Sequence, residues 1–176
     1  MEKRRILNQS LAAVVATLRH GEMIFIADAG SGVSEKAMYP LDPSVELIDL
    51  GAVTGEPSFE GVVRTLAEAG DFEGCIVPFG TKMVNEDVYG VLEDVFGEEK
   101  IREINYAPKF YDLRNRCTAV VQTGDYGIGA LAILIAGYPS ADIDMKVLTG
   151  EHKLVSNEKG MTTMPVDEFN KKYRDK

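Results

Sequence analysis

Apolar positions along this chain recur at two periods. Between residues 6 and 18, Leu11, Val14, Val15 and Leu18 fall at helical spacing, and Asn8 or Ser10 can cap the first turn. The unbroken apolar run from Met23 to Ala27 then predicts a strand buried on both faces. Gly30-Ser31-Gly32 opens a turn-rich loop that reaches Pro40 and Pro43, and a second strand is predicted over 45–53. Pro57-Ser58 starts a helix with Phe59, Val62, Val63 and Leu66 on one face, and Gly70 stops it. A strand over 74–79 precedes a helix over 85–96 that carries Val88, Val91, Leu92 and Val95. A short strand over 101–106, a short helix over 110–116 and strands over 118–123 and 130–136 follow. Gly124, Gly127 and Gly129 mark the turn between the last two.

This alternation predicts an α/β domain, a mostly parallel sheet with helices on both faces. The tail from Pro139 changes character. A hairpin is expected from Met145–Leu148 and 153–156, turning at Thr149-Gly150-Glu151-His152. A polar terminal helix is expected to begin at Pro165-Val166. The division expected is one domain over 1–138, with 139–176 an extension packed on that domain or on a neighbouring subunit.

The chain has 176 residues, enough for one domain with a core, and its 45% hydrophobic content is ordinary for a globular protein. A net charge of −9 argues against a nucleic-acid partner, which needs a basic face; Lys3-Arg4-Arg5 is too short to supply one. No apolar stretch is long enough to cross a bilayer, and the N-terminal segment does not read as a secretory leader. Cys75 and Cys117 lack C-x-x-C spacing and read as buried free thiols in a reducing cytoplasm. With only two histidines, no metal site of the histidine-cluster type is expected, and no cofactor is called for.

His20 and Asp28 bracket the first strand. A histidine exchanges protons near neutral pH, and an ionised aspartate accepts hydrogen bonds from hydroxyls. A straight strand would hold the two roughly 26 Å apart, at about 3.3 Å per residue. They can meet only if the His20 turn folds back over the sheet, or if a neighbouring subunit supplies one of them. The plain alternative is a turn histidine and a capping aspartate.

Gly30-Ser31-Gly32 and Gly124-x-x-Gly127-x-Gly129 read as tight turns, since neither completes a nucleotide-binding fingerprint. Ser31 and Ser34 lack the G-x-S-x-G context of a hydrolase nucleophile. Glu98-Glu99, Asp142, Asp144 and His152 read as surface groups. Tyr106, Tyr111, Arg114 and Tyr126 fall near element ends that a sheet can gather at one rim. Aromatic rings and guanidinium groups suit sugars, covering C–H faces and bonding hydroxyls.

Several ordered motifs resemble the RbsD/FucU family, the D-ribose pyranases and L-fucose mutarotases, over residues 6 to 137. They are Leu7-Asn8, His20-Gly21-Glu22 leading into Ile24-Phe25-Ile26-Ala27-Asp28-Ala29, Ile48-Asp49, and Gly55-Glu56-Pro57-Ser58-Phe59. Ile104-Asn105, Phe110-Tyr111-Asp112, Ala119-Val120-Val121-Gln122-Thr123-Gly124, Ile133-Leu134 and Ala136-Gly137 follow. The resemblance implies an α/β fold in a ring-like homo-oligomer whose monosaccharide pockets are completed across a subunit interface. It implies that His20 matches the catalytic histidine and Asp28 the sugar-binding aspartate.

Some positions depart from the pattern. The family's Tyr-x-Asn turn aligns with Gly129, Ala130 and Leu131, with Tyr126 a shifted substitute for the phenol. The family's histidine or arginine after the fourth strand falls near Tyr106 or Ala107, an arginine before Asp49 becomes Leu47, and the tail is an addition. The function expected is a cofactor-free sugar mutarotase or pyranase. His20 would act as acid–base group, with Asp28, Tyr106 and Tyr126 binding substrate. The alternatives are a non-catalytic sugar-binding or assembly protein, or an isomerase of a phosphosugar met by Lys36 or Arg114.

Overall fold

In a computed structural model of the chain, residues 5–138, 143–157 and 160–173 are described. Pro139 and Asp142, the start of the tail and one of its expected surface carboxylates, lie outside them, as do Lys3 and Arg4. The molecule divides into two compact units, Met1–Ala141 and Asp142–Lys176.

Among the described residues of the first unit, six strands form one sheet: β1 (Met23–Ala27), β2 (Glu46–Asp49), β3 (Phe72–Pro78), β4 (Ile101–Ile104), β5 (Ala119–Gln122) and β6 (Ala132–Ala136). Their spatial order is β2-β5-β1-β6-β3-β4. Neighbours pair in parallel except where β6 runs against β1 and β3. Five carboxyl ends therefore gather at one edge of the sheet, together with the start of β6. Strands β1, β3 and β6 carry the longest runs of buried residues, as the unbroken apolar runs require.

Helices α1 (Gln9–Thr17), α2 (Phe59–Ala69) and α4 (Glu86–Phe96) cover one face. Leu11, Val62, Leu66 and Leu92 pack there with Ile24, Ile26 and Val121 of the sheet. Side-chain oxygens of Asn8, Ser58 and Asn85 accept amide bonds from Leu11, Gly61 and Val88, which satisfies donors left open by each first turn. On the opposite face Phe25 meets Phe110, ring centroids 5.3 Å apart. Phe110 precedes α5 (Tyr111–Arg114), which also buries Leu113. One short helix, α3 (Thr81–Val84), follows β3 without a sequence signal. The second strand is shorter than expected, since the segment after Asp49 leaves the sheet to form turns.

The second unit corrects the expected hairpin. Met145–Leu148 is a helix, α6, capped by the Asp144 carboxylate, which accepts from the Lys146 amide. The hairpin instead pairs β7 (His152–Asn157) with β8 (Gly160–Pro165), and α7 (Val166–Tyr173) follows. Asp144 is exposed, as expected of a surface carboxylate, while His152 is partly buried. The Thr163 hydroxyl donates to Asp144 at 2.7 Å and lies 3.1 Å from His152 Nδ1. No described helix is long and apolar enough to cross a membrane.

Candidate functional site

A cavity of about 610 Å³ lies at the carboxyl edge of the sheet. Asp28 follows β1, Pro78 ends β3 with Phe79 just after it, Tyr106 follows β4, and Leu131 precedes β6; all of them line it. This is the place where an α/β sheet leaves side chains and loops free to hold a ligand. Tyr126, Gly127, Ile128 and Gly129 form one wall, and Ser31, Gly32 and Met38 another.

Asp28 is the cavity's carboxylate, half-buried at the end of the central strand. Its Oδ1 accepts from the Gly30 amide at 2.9 Å and the Ser31 hydroxyl at 3.1 Å. Burial nonetheless pushes its carboxyl above the ordinary value; the bonds from Ser31 and Gly30 oppose that shift, and the charge of Asp125 adds to it. The Gly30-Ser31-Gly32 turn thus holds an acid rather than a phosphate. Gln122 braces it, donating to the Ser31 carbonyl at 3.1 Å.

The aromatic wall is ordered by contacts that spacing alone could not show. The hydroxyls of Tyr106 and Tyr111 lie 2.6 Å apart. Tyr39 stacks on Tyr111 at 4.4 Å, with planes 5° apart. Burial, followed by the bond to Tyr106, pushes the Tyr111 phenol well above its ordinary pKa. The Asp125 carboxylate accepts amide bonds from Phe59 at 2.8 Å and Gly127 at 2.7 Å, which fixes the turn that presents Tyr126.

Two expectations about charge fail. Arg114 does not reach the rim. Its side chain is buried and donates to the carbonyls of Gly32, Tyr39 and Pro40 at 3.2, 2.8 and 2.9 Å. At 1% exposure, and turned to these carbonyls, the guanidinium does not face a substrate anion. Lys36 is exposed on the same loop and is not part of the cavity lining.

Asp28, Tyr106 and Tyr126 thus share one cavity, and His20 does not join them within the chain. His20 sits before β1, at the opposite edge of the sheet, where the Gly21 amide donates to the Ala136 carbonyl at 2.8 Å. Its Nε2 lies 3.3 Å from Oε2 of Glu73, and its ring centroid lies 6.0 Å from that of Tyr138. Sequence reasoning missed Glu73, which stands alone in an apolar strand. It also missed Phe79, just past β3, and Thr81 and Val84, which the unexpected α3 brings to the cavity.

The model of the RbsD / FucU transport protein family matches residues 1–139. The chain belongs to the RbsD/FucU family. It is similar to a D-ribose pyranase of Bacillus subtilis (strain 168), 34% identical over 137 residues, which are 78% of this chain and 98% of that protein. Its fold matches the structure of Bacillus subtilis RbsD complexed with D-ribose, with a TM-score of 0.67, 34% identity and coverage of 78% and 98% of the two chains. The fucose mutarotase of Streptococcus pneumoniae, solved with L-fucose, shares the fold at 17% identity, with a TM-score of 0.58 over 75% and 94%. This RbsD/FucU chain extends beyond the matched region, to residue 176, and its cavity lining includes Gly129 and Leu131.

Proposed function

We propose that the protein is a sugar mutarotase or pyranase that interconverts cyclic forms of a monosaccharide by acid–base ring opening. The observation that carries this reading is the cavity itself. One half-buried carboxylate, Asp28, lines it together with Tyr106 and Tyr126. Such a lining offers an acceptor for sugar hydroxyls and rings for C–H faces. The D-ribose pyranase relative, 34% identical over almost its whole length, supports the same reading.

Ring opening takes the proton from the anomeric hydroxyl and delivers one to the ring oxygen as the C–O bond breaks. Reclosure on either face of the carbonyl, or through another hydroxyl, reverses the transfer. The reaction needs no redox partner, and acid–base help of about 10²–10⁴-fold suffices. His20 is the group suited to carry the proton at neutral pH. Because it stands at the far edge of its own sheet, a second copy of the chain supplies it to the Asp28 cavity in a ring-like homo-oligomer. Met38, Phe79, Val84 and Ile128, large apolar side chains exposed at the cavity wall, support such an assembly. Residues 1–138 form the sugar-handling domain and 139–176 an extension to it. The buried free thiols of Cys75 and Cys117 suit a reducing cytoplasm.

A second reading is a non-catalytic sugar-binding or assembly protein. Gly129 and Leu131 favour it, since they offer no side-chain hydrogen bond to a hydroxyl. Saturation-transfer NMR of anomer exchange across pentoses and deoxyhexoses decides between the two. Faster exchange that is lost in His20→Ala supports the enzyme. Ligand-induced stabilisation without exchange supports the binder.

A further inference from the structure

We propose that Glu73 is the positioning residue of His20, a role that rests on reading His20 as the proton carrier. The two residues are 53 positions apart and meet at the amino-terminal edge of β1 and β3. The Glu73 side chain is 6% exposed and that of His20 32%, with 3.3 Å between Oε2 and Nε2. A sheltered carboxylate thus faces one nitrogen of a ring that stays partly exposed to solvent.

The backbone is built to put it there. Along β3, Phe72 pairs with Ala136 and Gly74 with Ile135, so Glu73 is the extra residue of a bulge. A bulge breaks the two-residue alternation and re-aims the side chain it carries. Gly137 supplies the room. A Cβ there would stand 3.0 Å from the Glu73 Cβ and 3.4 Å from its Oε2. The histidine turn hangs on the same strand end, through Gly21 N to Ala136 O and Ala136 N to Glu22 O, both 2.8 Å. One stretch of β6 therefore registers both partners.

A neutral imidazole carries its proton on one nitrogen only. A carboxylate at Nε2 selects the tautomer with hydrogen there and leaves the Nδ1 lone pair free to take the sugar proton. Once Nδ1 is protonated, the same carboxylate faces the imidazolium. Glu73 touches His20 and not the substrate, so its loss slows proton transfer and leaves sugar affinity alone.

The test is Glu73→Gln, whose amide keeps the shape and can either donate or accept. Anomer exchange followed by NMR is expected to show kcat falling about tenfold, with KM changed less than twofold. In a His20→Ala background the same substitution should change nothing further. Long-range ¹H–¹⁵N spectra of the wild-type protein should show His20 protonated at Nε2, and the Gln variant a mixture of tautomers. An Nδ1-protonated His20 in the wild type overturns the proposal even if the variant does not fold. An unchanged kcat in Glu73→Gln, beside a defective His20→Ala, overturns the positioning role alone. Full activity in His20→Ala overturns the reading on which it rests.

Discussion

The Arg114 guanidinium donates to the Pro40 carbonyl at 2.9 Å, across 74 positions of sequence. The same nitrogen reaches the Tyr39 carbonyl, while Nη1 takes that of Gly32. The ring of Tyr111 lies 4.9 Å away. One buried cation thus ties the loop after Asp28 to the helix that carries Tyr111. Its interior position lowers the arginine's pKa by desolvation, opposed by the field of Tyr111.

Removing that cation leaves several carbonyls without donors. Arg114→Met is expected to destabilise by about 3 kcal/mol, the order seen when buried charge-assisted bonds are broken. Arg64 offers the contrast, since it is only partly covered and its partners Glu60 and Asp94 are exposed. Arg64→Met should leave the midpoint close to that of wild type. Urea midpoints of the two variants measure the difference, and equal midpoints would refute the loop-clamping role.

Asp28 should trade stability for function. Burial raises its folded pKa above the unfolded value, so the folded state holds this proton more tightly. The stabilisation is present below the ordinary carboxylate range, about pH 3.9, and is lost as pH rises through the raised value. Asp28→Asn removes that loss, and its Oδ1 can still accept from Gly30 and Ser31, which both bond the same oxygen. Melting temperatures should therefore show the variant more stable than wild type near neutral pH, with the gain shrinking on acidification. Anomer exchange should fall in the same protein.

Tyr106 is the phenol most open to a ligand in its pair with Tyr111. Tyr106→Phe keeps the ring and deletes one hydroxyl. Loss of one hydrogen bond is worth roughly 1 kcal/mol, so the sugar Kd should rise about fivefold. Titration calorimetry with the sugar that undergoes exchange measures it; an unchanged Kd would remove Tyr106 from the binding set.

Two glycines should respond in opposite directions. A Cβ at Gly124 would overlap the Glu56 carbonyl, so Gly124→Ala forces backbone to move and should cost about 2 kcal/mol or more. Gly90 lies inside α4 with nothing within 4 Å of its added Cβ. Gly90→Ala should stabilise by about 0.5–1 kcal/mol through helix propensity. Denaturant titration of both variants reads the sign directly.

Periodicity was enough to show the α/β class, because burial on both faces forces unbroken apolar strands and one-sided helices. Met23–Ala27 was legible to the residue, and Ser58 and Asn85 marked helix starts through chemistry confined to one turn, while the choice of Asn8 over Ser10 as the first cap fell to the fold. The helix over Met145–Leu148 was not, since four residues carry too little pattern to separate the two periods. Asp28, Tyr106 and Tyr126 could be nominated as polar or aromatic groups at element ends. Only folding, by aligning the carboxyl ends of parallel strands, put them around one cavity. Folding alone also sent His20 to the opposite edge beside Glu73, and turned Arg114 inward. Side-chain type is written locally, but which groups meet depends on strand order and on a bulge, both set by contacts between residues far apart in sequence.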